Sequence, residues 1–288
     1  MSVNIASQPL PPSLDTAGVT IIAPAKAWRL VDLRAIWRSR DLLWYLTLRD
    51  VQVRYKQTVL GALWAIIQPL AMMTVATLLL GRVFHAAEGV TAPYPIYVFA
   101  GMLPWMCFSA CVTAGSNSLV ANQQMLQKVA FPRLVLPLAS AGAPLLDLCI
   151  SLVVLAGMMA WFHVAVTWSL LLLPVLIVSV VLAALSVTIP LAALNVTYRD
   201  CRYVVPFLVQ VWFFVTPVIY PVTVVPQAYR WLLRLNPIGG PIEAFRAATL
   251  GTPMDWTAWA ASTAVSLALL LAGLLYFGRT EQKFADLV

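Results

Sequence analysis

One acid stands inside a long apolar run. Asp147 interrupts residues 134–198, which otherwise carry no Asp, Glu, Lys or Arg. A carboxylate at such depth is a functional candidate by default, either as a proton relay or as a hydrogen-bonding group that braces or gates a path. A relay needs further ionisable partners at depth, and the apolar runs supply none, so the bracing or gating role is the favoured reading. Ser109, Thr113, Ser116 and Asn117 form a polar stripe at helical spacing. Such a stripe either lines a hydrophilic path or hydrogen-bonds a neighbouring helix. Gln68, Asn195 and Gln210 are single polar groups of the same kind. Cys107 and Cys111 share one helix face, where the helix holds them too rigidly for an easy disulfide and packing is the expected role. His85 and His163 fall at span ends and read as interfacial.

Other chemistry is missing. The sequence contains no G-x-x-x-x-G-K-[ST] loop, no H-E-x-x-H and no G-x-S-x-G. Four Cys and two His are scattered, which gives neither a disulfide framework nor a metal set. No catalytic, cofactor-binding or metal-ligating residue is therefore expected on this chain. The remaining candidates are aromatic: Tyr94, Tyr97, Phe99, Trp105 and Phe108 near one span, and Trp212, Phe213, Phe214 and Tyr220 near another. An interfacial belt explains most of them. Trp105, Phe108, Trp212 and Phe213 lie deeper than a belt needs. Aromatic faces also suit the apolar C–H face of a pyranose, so an aromatic-lined path for a glycan stands beside lipid-facing packing, and composition does not choose between them.

The elements that position these groups follow from charge and hydropathy. The 288 residues are 61% hydrophobic and 10% charged. Soluble domains run near 45–50% and about 25%, so a water-soluble globule is excluded, and so is disorder. A membrane β-barrel would show alternating segments of about ten residues, whereas this chain has long continuous apolar runs. Spanning helices need roughly 20 apolar residues. Gaps between charges place six of them, at about 57–82, 95–123, 136–162, 168–196, 203–220 and 256–279. The expected fold is an all-α polytopic membrane protein.

The net charge of +7 has a sided distribution. Lys26, Arg29, Arg34, Arg38, Arg40, Arg49, Arg54 and Lys56 precede the first span. Lys128, Arg133, Arg199, Arg202, Arg279 and Lys283 fall on the same side, against Arg82, Arg230, Arg234 and Arg246 on the other. The positive-inside rule then puts both termini in the cytoplasm. The excess charge is read as membrane topology, not as a nucleic-acid surface, and residues 1–25 do not read as a signal peptide.

Three segments depart from a plain six-helix bundle. Residues 1–31 read as a Pro-bearing cytoplasmic lead. Residues 32–56 place Leu33, Ile36, Trp37, Trp44, Leu48 and Val51 at helical spacing, with Arg40 interrupting. A basic amphipathic helix with Trp on its apolar face is expected to lie in the membrane interface, with packing on a partner protein as the compatible alternative. Residues 221–250 are cut by prolines into apolar pieces too short to span, which suggests re-entrant helices on the outer side in place of an ordinary loop. Residues 281–288 form a cytoplasmic tail.

Several stretches resemble the permease subunits of ABC exporters for bacterial surface polysaccharides, the O-antigen, capsule and teichoic-acid group. They are the run Leu48-Arg49-Asp50-Val51-Gln52-Val53-Arg54-Tyr55-Lys56 through Gly61-Ala62-Leu63-Trp64 with Gln68-Pro69-Leu70, Pro93-Tyr94-Pro95, Gly101-Met102-Leu103-Pro104-Trp105, Lys128-Val129-Ala130-Phe131-Pro132-Arg133, Tyr198-Arg199-Asp200, Thr216-Pro217-Val218-Ile219-Tyr220, and Asn236-Pro237 with Phe245-Arg246. Each is weak alone. In this order, on these sides of the spans and over nearly the whole chain from about Leu30, they are specific for the family but not for the substrate.

The resemblance implies a homodimer with the export path between two copies, set in the bacterial inner membrane. It implies two separate ATP-binding subunits on the cytoplasmic face, which hold ATP and Mg. It assigns docking on those subunits to Lys128, Phe131, Pro132, Arg133, Arg199 and Asp200. It places Arg49, Asp50, Arg54 and Tyr55 near a cytoplasmic mouth. The basic residues there either attract the diphosphate of an undecaprenyl-linked glycan or simply anchor the chain. The glycan path falls to Tyr94, Tyr97, Trp105, Phe108, Trp212, Phe213 and Tyr220, with O-antigen the expected cargo. A secondary transporter or flippase working without ATP would need an internal repeat and ion-binding residues at mid-depth. A membrane enzyme would need convergent acids or a nucleophile–base pair. Neither pattern is visible.

Overall fold

The computed structural model describes residues 33–56, 61–83, 92–198 and 200–281. The expected lead at 1–31, the start of the first span at 57–60, His85, Glu88, Arg199 and the tail from 282 lie outside the described residues. Regular structure among those described is helical throughout. The helices are α1 (Leu33–Arg38), α2 (Arg40–Lys56), α3 (Trp64–Ala76), α4 (Tyr94–Ser116), α5 (Ser118–Ala121), α6 (Gln123–Lys128), α7 (Val135–Ala139), α8 (Gly142–Trp161), α9 (Leu173–Thr197), α10 (Cys201–Val215), α11 (Arg230–Leu235), α12 (Gly239–Leu250) and α13 (Trp256–Thr280).

Four apolar stretches are long enough to cross a membrane: Tyr94–Ser116, Val135–Trp161, Trp168–Thr197 and Trp256–Thr280. Two shorter apolar helices, Trp64–Leu79 and Cys201–Val215, accompany them. The protein is an all-α, multi-pass membrane protein. The first span is an α-helix to Ala76 and then a wider π-helical stretch, Thr77–Val83. The second stops at Ser116, short of the expected 123, because the chain breaks at Asn117 and continues as the short α5 and α6. The fifth stops at Val215, short of the expected 220. Thr216 is extended and the chain then turns inward.

α4 is the centre of the bundle. Ile96, Val98, Phe99, Phe108 and Val112 are wholly buried on it, and it packs against α3, α8, α9, α10 and α12. α9 meets both α4 and α13 through Ala183, Ala184, Ala192 and Ala193. Small side chains let helix backbones approach, which is how spans associate where lipid removes the hydrophobic incentive. α3, α4, α9 and α10 each carry an interior proline, at Pro69, Pro104, Pro190 and Pro206. The lost backbone donor is tolerated where neighbouring helices shield the freed carbonyl.

Two of the unusual segments differ from expectation in detail. The interface helix is two helices, broken at Ser39, whose hydroxyl donates to the Ala35 carbonyl. Ile36, Leu42, Leu43 and Leu46 pack onto α7 and its neighbours, while Trp37 is 72% exposed and Trp44 63%, which leaves the tryptophan face turned away from the bundle. In the outer region, α12 is buried among α4, α9 and α13 over nearly its whole length. It ends at Gly251, whose φ of +67° suits glycine and lets the Thr252 amide reach back to the Ala247 carbonyl.

Candidate functional site

A cavity of about 750 Å³ opens between α2, α3, α4, α8 and α10. Its walls mix apolar and polar groups. α3 contributes Trp64 and Gln68, α4 contributes Trp105, Ser109 and Thr113, and α10 contributes Gln210 and Phe213. Methionines fill the remaining wall at Met72, Met102 and Met106. The polar stripe of α4 therefore divides. Ser109 and Thr113 face the cavity, while Ser116 offers its carbonyl to Asn195 of α9 at 2.9 Å. Of the stripe's side chains, it is Asn117 that reaches the neighbouring helix, its oxygen accepting from Asn195 at 3.4 Å.

Charged residues line the cavity at the end nearer α2. Arg54, in the last turn of α2, reaches Asp147 on α8 at 2.8 Å, and the Tyr55 hydroxyl donates to the same carboxylate. Asp147 thus has a partner that the apolar runs did not reveal: a cation from a different element. The pair is half-open to its surroundings, with Arg54 46% and Asp147 19% exposed. Arg54 and Pro144 also line a second cavity of about 410 Å³, together with Arg49, Asp50, Ser118 and Asn122. Arg54 thus borders both spaces, while Asp147 lines the larger one.

Arg49 donates to Asp50 at 2.8 Å and to the Asn122 side-chain oxygen at 2.9 Å. Asn122 in turn donates to the Ser118 carbonyl. Arg49 is therefore tied to the α5–α6 bend that leads into residues 128–133. In that turn Lys128 is exposed and Phe131 packs on the cluster around Leu134 and Leu136. Pro132 is half-buried, and Arg133 donates to the Glu281 carbonyl at the end of α13 at 2.6 Å. Asp200 is exposed at the start of α10.

The seven path aromatics fall into three groups. Trp105 and Phe213 line the large cavity, with ring centroids 5.6 Å apart. Phe108 and Trp212 stand behind them, edge to face at 5.3 Å, and Phe108 is wholly buried. They brace the wall without forming it. The three tyrosines anchor the segment after α10. Tyr94 donates to the Ile219 carbonyl at 2.6 Å, Tyr220 donates to the Phe214 carbonyl, and Tyr97 lies under a guanidinium.

That guanidinium belongs to Arg246 of α12, which the charge count placed among outer-side residues. Arg246 is buried, its side chain only 4% exposed. It donates to Glu243 at 2.9 Å, to the Tyr97 hydroxyl at 2.8 Å, and to the carbonyls of Pro217 and Val218 at 3.1 and 2.6 Å. Its carbon centre sits 4.0 Å from the Tyr97 ring centroid, a cation–π contact. Gly101 makes this possible: a β-carbon there would fall 2.1 Å from the guanidinium and 2.6 Å from the Val218 carbonyl. Phe245-Arg246 and Gly101 both stand in the motifs, but nothing local in the sequence says they meet.

At the start of α13, outside the span, Asp255 accepts from Thr257 and Ala258 amides as an N-cap. The Thr257 hydroxyl, followed by those amides, holds its carboxyl below the usual range. Among the described residues no three His, Cys, Asp or Glu side chains group closely enough for a metal ion.

Fold and site define a helical membrane protein with a polar and aromatic cavity between its spans and charged residues at one end. The family described as ABC-2 type transporter matches residues 41–250, and the chain belongs to that family. It is 31% identical over 258 residues to the O-antigen export system permease protein RfbA of Myxococcus xanthus, covering 88% of this chain and 98% of that one. It is 27% identical over 251 residues to the protein of the same name from Klebsiella pneumoniae, covering 86% and 95%. It is 24% identical over 222 residues to the polysialic acid transport protein KpsM of Escherichia coli, covering 71% and 80%.

Proposed function

We propose that the chain is the transmembrane subunit of an ATP-driven exporter that moves a lipid-linked polysaccharide, O-antigen first among the candidates, across the bacterial inner membrane. The observation that carries this reading is the cavity of about 750 Å³ in a chain of the ABC-2 family, walled by Trp105, Phe213 and neutral polar groups and lined at one end by Arg54, Tyr55 and Asp147. Aromatic faces take sugar C–H surfaces, Gln and Ser groups exchange hydrogen bonds with passing hydroxyls, and the charged groups of the wall, Arg54 and Asp147, neutralise one another.

In this reading two copies face each other across the path, with both termini in the cytoplasm. Two separate ATP-binding subunits dock on Lys128, Phe131, Pro132, Arg133, Arg199 and Asp200. The contacts of Arg133 with Glu281 and of Asn122 with Arg49 support a mechanical role for that turn, because a push there is delivered both to α13 and to α2. The Arg54–Asp147 pair is the cytoplasmic gate. A phosphate group of the lipid carrier competes with Asp147 for Arg54, as phosphate oxygens match a guanidinium bidentately.

The test is deletion of the gene in its host. Surface polysaccharide is then lost and lipid-linked glycan accumulates inside, and complementation restores both. Unchanged surface polysaccharide would sink the proposal.

A further inference from the structure

A separate cavity of about 230 Å³ lies at the opposite end of the bundle, between Tyr97, the turn at 221–223, α12 and the turn at 252–255. It shares no lining residue with the large cavity. Three charged side chains line it: Arg246, Glu243 and Asp255. The two carboxylates keep hydrogen-bonding capacity, while the Arg246 side chain is almost wholly buried, its Nε shut off from the cavity, and contributes charge and wall. Glu243 accepts from Arg246 through Oε1 alone, and Asp255 caps α13 through Oδ1 alone. The hydroxyls of Thr223 and Thr252 are further lining groups. Pro221, Val222, Leu250 and Pro253 supply apolar wall.

This combination selects a ligand class. Among the described residues the lining sets two carboxylates against one guanidinium, and Arg234 acts on Asp255 from beyond it, so the site is close to charge-balanced and gives an anion no advantage. A metal cation is disfavoured by the guanidinium 2.9 Å from Glu243. A neutral ligand carrying adjacent hydroxyls satisfies donors and acceptors together, since each hydroxyl both gives and takes a hydrogen bond. The apolar wall takes its C–H face. Drug-sized ligands use cavities of roughly 300–1,000 Å³, so 230 Å³ holds one ring and not an oligomer.

We infer that this cavity is a subsite for a single neutral, hydroxyl-rich sugar unit, held by Glu243, Asp255 and Arg246 at the outer end of the protein. The inference deepens the exporter reading and rests on it for the source of the sugar. A growing or emerging glycan meets this site after the membrane cavity, and a unit held there resists slipping back.

The experiment uses the full chain in lipid nanodiscs with methyl glycosides of glucose, galactose and mannose as probes, read by saturation-transfer NMR. At least one probe is expected to receive saturation at its ring C–H protons. Asp255→Asn, which keeps a capping oxygen, and Thr252→Val are each expected to weaken binding roughly tenfold, the scale of one lost polar contact to a charged or buried partner. Trp105→Ala, in the other cavity, removes only transfer that arises from that cavity and leaves the part sensitive to Asp255→Asn and Thr252→Val in place, while Val153→Ala, on an exposed face of α8 that lines neither cavity, changes neither. Melting curves of the variants confirm that they remain folded.

Absence of transfer from every probe overturns the inference. So does transfer that Trp105→Ala abolishes while the other two leave it intact, or tighter binding of sialic acid or of calcium than of the neutral sugars. Failure of the two readings is separable. If gene deletion removes surface polysaccharide but no sugar binds, only the subsite falls. If deletion changes nothing, the exporter reading falls whatever the chain binds.

Discussion

Two arginine–carboxylate pairs, one at each end of the bundle, look alike in sequence and differ in kind. Arg54–Asp147 is 46% and 19% exposed, and among the described residues Asp147 is shared with Tyr55. Arg246–Glu243 is 4% and 33% exposed, and its guanidinium is held by two backbone carbonyls, a tyrosine hydroxyl and an aromatic face. A charge buried with several fixed partners is structural, because removing it strands desolvated groups. A half-open pair at a cavity wall is exchangeable, since water or a ligand can replace either partner at small cost. The Arg246 guanidinium joins α12 to α4 through Tyr97, whereas Arg54–Asp147 is the pair that opens in the proposed reading.

The largest expected effect comes from breaking the buried pair. Arg246→Ala strands Glu243 and the carbonyls of Pro217 and Val218, and should cost about 3–5 kcal/mol. The protein should then melt far lower or elute as aggregate in size-exclusion chromatography. A stable, monodisperse Arg246→Ala protein would remove the contrast. Gly101→Ala should follow closely, because its β-carbon displaces the same guanidinium. The loss should be roughly 1–3 kcal/mol, the usual cost of overpacking.

Asp147→Asn should cost under about 1 kcal/mol in stability, as half-exposed pairs do. It should nonetheless alter export or partner-stimulated ATP hydrolysis. The charge swap Arg54→Asp with Asp147→Arg should recover more function than either single variant. If Asp147→Asn unfolds the chain as readily as Arg246→Ala does, the two ends are not different in kind.

Asp255→Ala removes the N-cap of α13 and should cost about 1 kcal/mol in stability. Because the folded carboxyl titrates below its ordinary value, its contribution is full above the ordinary range. It fades as pH falls through the lowered value. Melting temperature against pH should show that loss in the native protein and not in Asp255→Ala.

The cavity was partly legible beforehand. Ser109, Thr113, Gln68 and Gln210 were visible as polar residues in apolar helices, and Trp105 and Phe213 as aromatics deeper than a belt. Trp212 and Phe108 carried the same signal yet face away from the cavity. Depth along a helix is readable from hydropathy, but the direction a residue points depends on the neighbour it packs against. The methionines of the wall carried no signal at all, since Met in an apolar run is expected anywhere.

The sequence by itself determined the class of protein and the order of its helices. Continuous apolar runs and the spacing of charges are local quantities, and a bilayer forces such runs to be helical because nothing else satisfies their backbone. Only the tertiary structure decided which charges pair. Tyr55 and Asp147 stand 92 residues apart, and Tyr97 and Arg246 stand 149 apart. Those distances are closed by the packing of α2 on α8 and of α12 on α4. Whether an arginine there is a buried brace or an openable closure follows from how much of it the surrounding helices take out of water.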